Sequence, residues 1–448
     1  MERYKEYKDS GIEWIGQIPS HWELLPLKNI CKSEKYSIKT GPFGSQLKGE
    51  DLKEEGEIRV YNQKNVITQD FTNSEFYISQ KKAQELDSFT TLPNDILITS
   101  RGTIGKATIL NPNYIMGILH PCLIALRIDE RKANLTWVCR WINDSESFKK
   151  EIESKSNATT IDVIYTDTIK NIKIIVPPLS EQKEIADYLD KKCGEIDAAV
   201  VKVDKELELL DELKQSEISK AVTKGLNPDV SFKPSGIDWI GEIPSHWKIS
   251  RLKNYVDIFG RIGFRGYTNE DLVNEGEGAI TLSPSNIIDG KINYSKCSYL
   301  SWNKYYESPE IMINEGDVIF VKTASVGKSA LISHLPMETT LNPQIVVFKN
   351  IKIINKFLDY ILKTPLIIHQ VNLSVGGSTI LTITQDSIGN YKLPIPPISE
   401  QKEIADYLDR KCGEIDSLKE KLKQKKEKLQ ELRQSLISEV VTGKRKVI

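Results

Sequence analysis

Cysteine and histidine are scarce. Six cysteines and five histidines in 448 residues form no Cys-x-x-Cys pair and no zinc-ligand spacing, so neither a disulfide framework nor a metal site organises this chain. Reduced thiols in a cytoplasmic protein are expected. No run approaches the 18 or so consecutive apolar residues of a membrane span, and Met1-Glu2-Arg3-Tyr4-Lys5 opens no signal peptide, so no membrane contact is expected. A dominant sign of charge is also missing. With 61 Lys+Arg against 62 Asp+Glu the formal net charge is −1. That excludes a uniformly basic coat and confines any nucleic-acid surface to local patches.

Catalytic motifs are absent too. Val326-Gly327-Lys328-Ser329 has Lys322 where a phosphate-binding loop needs glycine, and Gly105-Lys106 is followed by Ala107. Val176-Pro177-Pro178-Leu179 and Ile395-Pro396-Pro397-Ile398 lack the amide and the ring with which adenine methyltransferases hold a flipped base. No G-x-G-x-x-G follows a strand. Glu181-Gln182-Lys183 has no paired acid to complete a nuclease site, and His21 and His246 read as packing or capping residues. No catalytic or metal-binding residue is assigned.

What the chain does contain, it contains twice. Ser10 to Trp22 (SGIEWIGQIPSHW) and Ser235 to Trp247 (SGIDWIGEIPSHW) agree at 11 of 13 positions. Ser180 to Asp197 (SEQKEIADYLDKKCGEID) and Ser399 to Asp416 agree at 17 of 18. Between these anchors only a thread persists: Asp95 to Lys106 (DILITSRGTIGK) against Asp317 to Lys328 (DVIFVKTASVGK), and Thr159 to Ile161 against Ser378 to Ile380. A period of half the chain is too long for a solenoid and denotes duplication of a whole domain with its connector. The frame is held while the inserts differ, as a two-headed reader requires.

The order of segments predicts an α+β protein. Residues 1–176 form a first variable domain, with its repeated segment at 7–30, and 177–225 a first long helix. Residues 226–395 form a second variable domain, with its repeated segment at 232–255, and 396–448 a second long helix with a basic tail. Strands are predicted at Ile96 to Thr99, Ile172 to Val176, Val318 to Val321, Ile345 to Phe348 and Tyr391 to Ile395, and helical patches at Leu135 to Glu153 and Ile354 to Leu362. Ser180 and Ser399 are the predicted N-caps of the long helices, with Glu181 and Glu400 in the first turns. Leu189, Ile196, Val203 and Leu210 mark the seam of the first helix, and Leu408, Ile415, Leu422 and Leu429 that of the second. Residues 198–229 carry five basic and seven acidic side chains, whereas 417–448 carry ten and four. Lys419, Lys426 and Arg433 occupy seam positions where the first helix has Val200, Leu207 and Lys214. One acidic and one basic helix pair with each other rather than with copies of themselves, and the duplication makes that pair antiparallel.

The variable domains carry contact chemistry for nucleic acid. In the first, Thr40, Phe43, Ser45 and Lys48 lie on a Gly-rich loop. Asn62, Gln63, Lys64 and Asn65 follow a strand, and Asn or Gln can read adenine. Ser100, Arg101, Thr103 and Lys106 form a third cluster. The second domain has Arg261, Arg265 and Tyr267, then Ser285 and Asn286, then Lys322, Thr323 and Lys328. Lysines suit phosphate contacts, and Arg, Asn and Gln suit base readout.

On these residues the chain resembles the specificity subunit of Type I restriction–modification enzymes over essentially its whole length. The doubled PPLSEQKEIADYLD and PPISEQKEIADYLD carry the resemblance most strongly, supported by GIEWIGQIPSHW, GIDWIGEIPSHW, TGPFGS and DILITSRGTIGK. The resemblance implies two target-recognition domains of mixed strands and helices, related by a pseudo-twofold and separated by two long antiparallel coiled-coil helices. Each domain reads one half of a split, asymmetric site in double-stranded DNA. It also implies a non-catalytic chain that docks two methylation subunits and is joined by restriction subunits. No cofactor is expected on the chain itself; S-adenosylmethionine, ATP and magnesium belong to the partners, which methylate adenine N6 and cleave unmodified DNA. Thr323-Ala324 stands where the first domain has Arg101-Gly102, so a contact made by that arginine has no counterpart there. The competing expectations are a free-standing DNA-binding or scaffold protein of the same fold, and a compact nuclease.

Overall fold

The computed structural model describes residues 3–154, 163–261, 266–374 and 381–447. Two compact units emerge. The first comprises Met1–Val203 with Gln424–Ile448, and the second Asp204–Lys423. Each cut falls inside a long helix, because the tail of each helix packs on the repeated tryptophan motif of the unit that does not hold its head.

In the first unit a four-stranded antiparallel sheet runs in the order Ile38–Thr40, Leu123–Leu126, Ile96–Thr99, Ala107–Ile109. Ile124 faces both Ile98 and Thr40 across it. A three-stranded sheet joins Phe76–Ile78, Ile58–Tyr61 and Ile118–Leu119, the last pair parallel. Lys173–Val176 pairs with Glu23–Pro26, tying the end of the variable domain to its start.

The second unit repeats this wiring in different residues. Its main sheet runs Asp257–Gly260, Ile345–Lys349, Val318–Val321, Ser329–Leu331, with Val346 facing Phe320 and Gly260. A second four-stranded sheet in this unit also contains a parallel pair, Gly278–Leu282 with Thr339–Leu341. Strand runs of four or five residues, rich in β-branched and aromatic side chains and buried almost throughout, set these sheets. The strands at Ile96–Thr99 and Val318–Val321 lie where predicted. The patch expected over Leu135 to Glu153 is two helices, Leu135–Asp144 and Glu146–Ser154, broken at Ser145 in an extended conformation. The thread residues Thr159 to Ile161 and Ser378 to Ile380 lie outside the described residues.

The long helices span Leu179–Lys224 and Ile398–Val441. Both begin one residue ahead of the expected serine caps. The carbonyls of Pro178 and Pro397 accept the first helical bonds, from Gln182 and Gln401 N at 3.0 Å each, so Ser180 and Ser399 lie inside the first turn. A proline at a helix entrance brings its φ already set. Gly225, at φ +75°, ends the first helix.

Each unit shows antiparallel pairing by itself. In the first, Leu436, Ile437, Val440 and Val441 of the second helix share a core with Leu189 and Cys193 of the first, and Arg433 donates to Asp197 Oδ1 at 3.1 Å. In the second, Lys214 bonds Asp416 at 2.6 Å, Lys419 pairs with Asp211, and the Tyr407 hydroxyl donates to Glu217 at 2.8 Å. The expected match of acidic and basic helices is therefore met by ion pairs whose residue numbers run in opposite directions. Leu189, Val203, Leu408 and Ile415 are buried, whereas Ile196, Leu210, Leu422 and Leu429 are half-buried. Two helices enclose a seam from two sides only, so its apolar side chains keep an edge in water wherever no sheet covers them.

The two repeated motifs bind each other. Glu181 accepts from Trp22 Nε1 at 3.0 Å and from the Tyr4 hydroxyl at 3.0 Å, and lies 2.7 Å from His21 Nε2. Glu400 accepts from Trp247 Nε1 at 3.0 Å and lies 2.7 Å from His246 Nε2. The next residue, Gln182 or Gln401, is buried and cross-links the Pro-Pro turn to the loop before the neighbouring helix, receiving Asn134 N at 2.7 Å or Ile354 N at 2.9 Å. Among the described residues no helix is long and apolar enough to cross a membrane.

Candidate nucleic-acid interface

The thread between the anchors is a scaffold for two loops. Asp95 accepts from Leu92 N at 2.9 Å and from Arg127 Nε at 3.1 Å, closing the turn before its strand. Asp317 does the same with Asn314 N at 2.9 Å and Lys349 Nζ at 2.8 Å. At the far end Gly105 (φ +76°) and Gly327 (φ +93°) adopt a backbone that other residues avoid, which is why the glycine before Lys106 and Lys328 survives in both copies.

Three clusters of the first unit converge on His120. Gly41 is pressed so close to the His120 carbonyl that an added Cβ would lie 2.2 Å from its oxygen, which fixes the root of the loop bearing Phe43. Thr40 donates to Leu123 O at 3.3 Å. Beyond it Phe43 is 73% exposed, Ser45 is exposed, and Lys48 lies 3.4 Å from Glu50. A cavity of about 310 Å³ is lined by Asn62, Gln63, Phe76, Arg101, Gly102, His120 and Cys122, so the second and third clusters meet there. His120 stacks on Phe76 with centroids 6.0 Å apart, and burial together with the Arg101 charge lowers its pKa.

Two expected adenine readers are not at the surface. Asn62 and Asn65 are both 6% exposed. Asn65 accepts from Asn62 N at 3.0 Å and donates to Asp70 O at 2.9 Å and Asn73 O at 2.8 Å. Asn62 caps its helix through Lys64 N at 2.9 Å and donates to Glu75 at 2.8 Å. These amides are spent on shaping their own loop. Lys64 is exposed but held by Glu75 at 2.6 Å. Ser100 is buried as well, contributing backbone bonds to Cys122 and Ile164. Arg101, Thr103 and Lys106 lie on the loop beyond it, all three exposed, and Gln63 is half-buried.

The second unit presents the same frame with other side chains. Asn286 repeats Asn65, accepting from Ser283 N at 2.9 Å and donating to Asn293 O at 3.1 Å and Lys296 O at 3.0 Å. It is 3% exposed and so is not available as a base reader. Arg261 is also inside: Nε donates to Leu341 O at 3.2 Å, a second nitrogen to Thr340 Oγ1 at 3.3 Å, and its guanidinium lies 5.3 Å from the Tyr267 ring. The expected surface contact is a buried brace, and burial lowers its pKa. Tyr267 is half-buried, and Arg265 lies outside the described residues. Ser285 is exposed, Lys322 and Thr323 are half-buried, and exposed Lys328 borders a cavity of about 380 Å³ with Ala324, Ser325 and Leu381.

Sequence reasoning missed one pair of positions. His120-Pro121-Cys122 and Asn342-Pro343-Gln344 each follow a leucine, at matching places in the two copies. His120 N donates to Tyr61 O at 3.0 Å, and Asn342 N to Leu282 O at 2.9 Å. Ser100 N donates to Cys122 O, and Lys322 N to Gln344 O, at 2.8 Å each. Leu-x-Pro-x repeated at the spacing of the duplication was the available signal, too short to stand out alone. The backbone bonds coincide while the side chains differ, which is the geometry of two readers with different targets.

The family described as Type I restriction modification DNA specificity domain matches residues 19–201 and again 244–428. The putative type I restriction enzyme MjaX specificity subunit of Methanocaldococcus jannaschii is 27% identical, with 100% of this chain and 99% of that protein covered. The EcoKI specificity subunit of Escherichia coli is 28% identical over 46% of this chain and 44% of its own length. Among solved structures, a chain from work on complex assembly and conformational transition of the type I R-M system aligns with a TM-score of 0.72 at 16% identity, covering 95% of this chain and 98% of that one. The HsdS subunit of Thermoanaerobacter tengcongensis aligns with a TM-score of 0.53 at 16% identity, covering 96% and 98%. The chain belongs to the Type I restriction–modification DNA specificity family.

Proposed function

We propose that this chain is the non-catalytic DNA-recognition subunit of a Type I restriction–modification complex, each unit reading one half of a split, asymmetric site. The observation that carries this reading is one backbone frame presented twice with different polar side chains, His120 and Cys122 in one copy and Asn342 and Gln344 in the other. Phosphate contacts fall to Lys106 and Lys328, and base contacts to side chains lining the cavities. The paired helices act as the spacer ruler, and their repeated heads, with the clamped tryptophan motifs, offer two like docking places for methylation subunits. S-adenosylmethionine, ATP and magnesium reside on those partners and on restriction subunits. Successive major-groove faces recur about every 34–36 Å, so a rigid connector implies a fixed unread spacer.

Methylome mapping tests this. The chain is co-expressed with the methylation subunit encoded beside it in a methylation-free bacterial host, and modified bases are mapped by long-read sequencing. A split, asymmetric adenine-methylated motif that vanishes without this chain is expected. A soluble complex that yields no motif would overturn the reading in favour of a scaffold protein.

A further inference from the structure

Arg101 is exposed, and among the described residues its guanidinium makes no hydrogen bond or ion pair. Its neighbours in the cavity are constrained. Gln63 is half-buried, and its side-chain oxygen has no hydrogen-bond partner although it is shielded from solvent. Leaving a polar atom in that state is costly, so such an atom marks a place where a ligand can supply the missing partner. Gly102 holds φ +65° beside it, a backbone that side chains rarely adopt, and an added Cβ would lie in ordinary contact with the Gln63 oxygen, at 3.5 Å. Phe76 and His120 stack to form a firm apolar wall. A two-pronged cationic donor and an unfilled acceptor thus line one cavity.

That combination matches one base-pair edge. In the major groove a G·C pair offers two acceptors on guanine, N7 and O6, and one donor on cytosine, the N4 amino group. We infer that Arg101 and Gln63 together read a single G·C pair in the half-site of the first unit, Arg101 forking onto guanine and Gln63 accepting from cytosine. The inference rests on the DNA-recognition reading and adds the identity of one base pair. Among the described residues the second unit has no such pair at the matching positions. Thr323 stands at the place of Arg101, and Ala324 holds φ +66° where the first unit has glycine. The G·C preference therefore belongs to one half-site.

The test uses the full chain co-purified with its methylation subunits and a randomised duplex library. Wild-type complex is expected to select a motif with an invariant G·C pair in one half. R101A should lose discrimination at that pair by about tenfold to a hundredfold and leave every other position intact. R101K, which keeps the charge but not the fork, should lose the same preference while keeping most non-specific affinity. Q63A should relax the same pair by a smaller factor. Uniform weakening of all sequences by R101A would make Arg101 a phosphate contact and overturn the inference, as would an unchanged motif. A wild-type complex that selects no motif would overturn the DNA-recognition reading together with it.

Discussion

Glu181 and Glu400 show why particular letters recur in an otherwise divergent chain. Each is the acceptor for a tryptophan that is nearly or fully buried in its unit, so the Glu of one repeated motif and the Trp of the other are halves of one contact. Glu181→Ala should destabilise the first unit by about 1–3 kcal/mol, since it strands a buried indole N–H. Glu400→Ala should cost less, because Glu400 is 33% exposed against 18% for Glu181. Urea denaturation of both variants and of the double variant checks this; no loss in either would remove the clamp from the stability account. A second prediction concerns Lys39, which is 5% exposed and donates to the Ser88 and Thr90 carbonyls at 2.9 and 2.7 Å. Burial, helped by Arg127 and opposed by Asp95, Asp87 and Glu34, brings its pKa down from 10.5 to about 8. Between those values the unfolded chain holds the proton and the folded chain does not, so Lys39 makes stability rise with pH across that window and contributes no slope below it. Melting of wild type and Lys39→Met at about pH 7.5 and about pH 10 should show the wild type gaining relative to the variant. A pH-independent difference would contradict the burial of that amine.

The long helices were the most legible elements, because heptad spacing and the Pro-Pro entrance are local signals. Their pairing was legible too, since opposite charge patterns leave one good partner. The interior of the variable domains was less so. Asn65 and Asn286 looked like readers, but an Asn three residues after a loop start serves its own backbone as readily as a base, and only the burial of those amides decides between the two. Arg261 misled for a related reason: a guanidinium with carbonyl and hydroxyl acceptors and an aromatic ring at hand is satisfied inside. Gly194 and Gly413 are real weaknesses within the long helices. Both are exposed, and an added Cβ would meet nothing within 4 Å. Gly194→Ala and Gly413→Ala should each stabilise by up to about 1 kcal/mol with no change in the methylated motif. A loss of stability in either variant would mean that the glycine is needed for a close approach.

Each compact unit holds the head of one long helix and the tail of the other. Cutting the chain at the sequence repeat would strip each core of the partner's apolar tail, Ile437 and Val441 in the first unit and Ile218 and Val222 in the second. If the helices are the ruler, their length must be changed in both at paired positions. Seven residues inserted after Asp204 and seven after Lys426 add about 10 Å to each helix while keeping the seam in phase. The methylome should then show both half-sites unchanged and a spacer longer by about 3 base pairs at about 3.4 Å each. An unaltered spacer would remove the ruler.

Duplication, the long helices, their antiparallel pairing and the family were all determined by the sequence alone, because repeats, heptads and charge blocks are properties of spacing along the chain. The fate of each polar side chain was decided only by the tertiary structure. Whether Asn65 faces DNA or its own loop, and whether Gln63, Arg101 and His120 share one cavity, depends on strands distant in the chain meeting in register. A polar group's role follows from which partner is nearest once those strands have met, and spacing along the chain does not encode that distance.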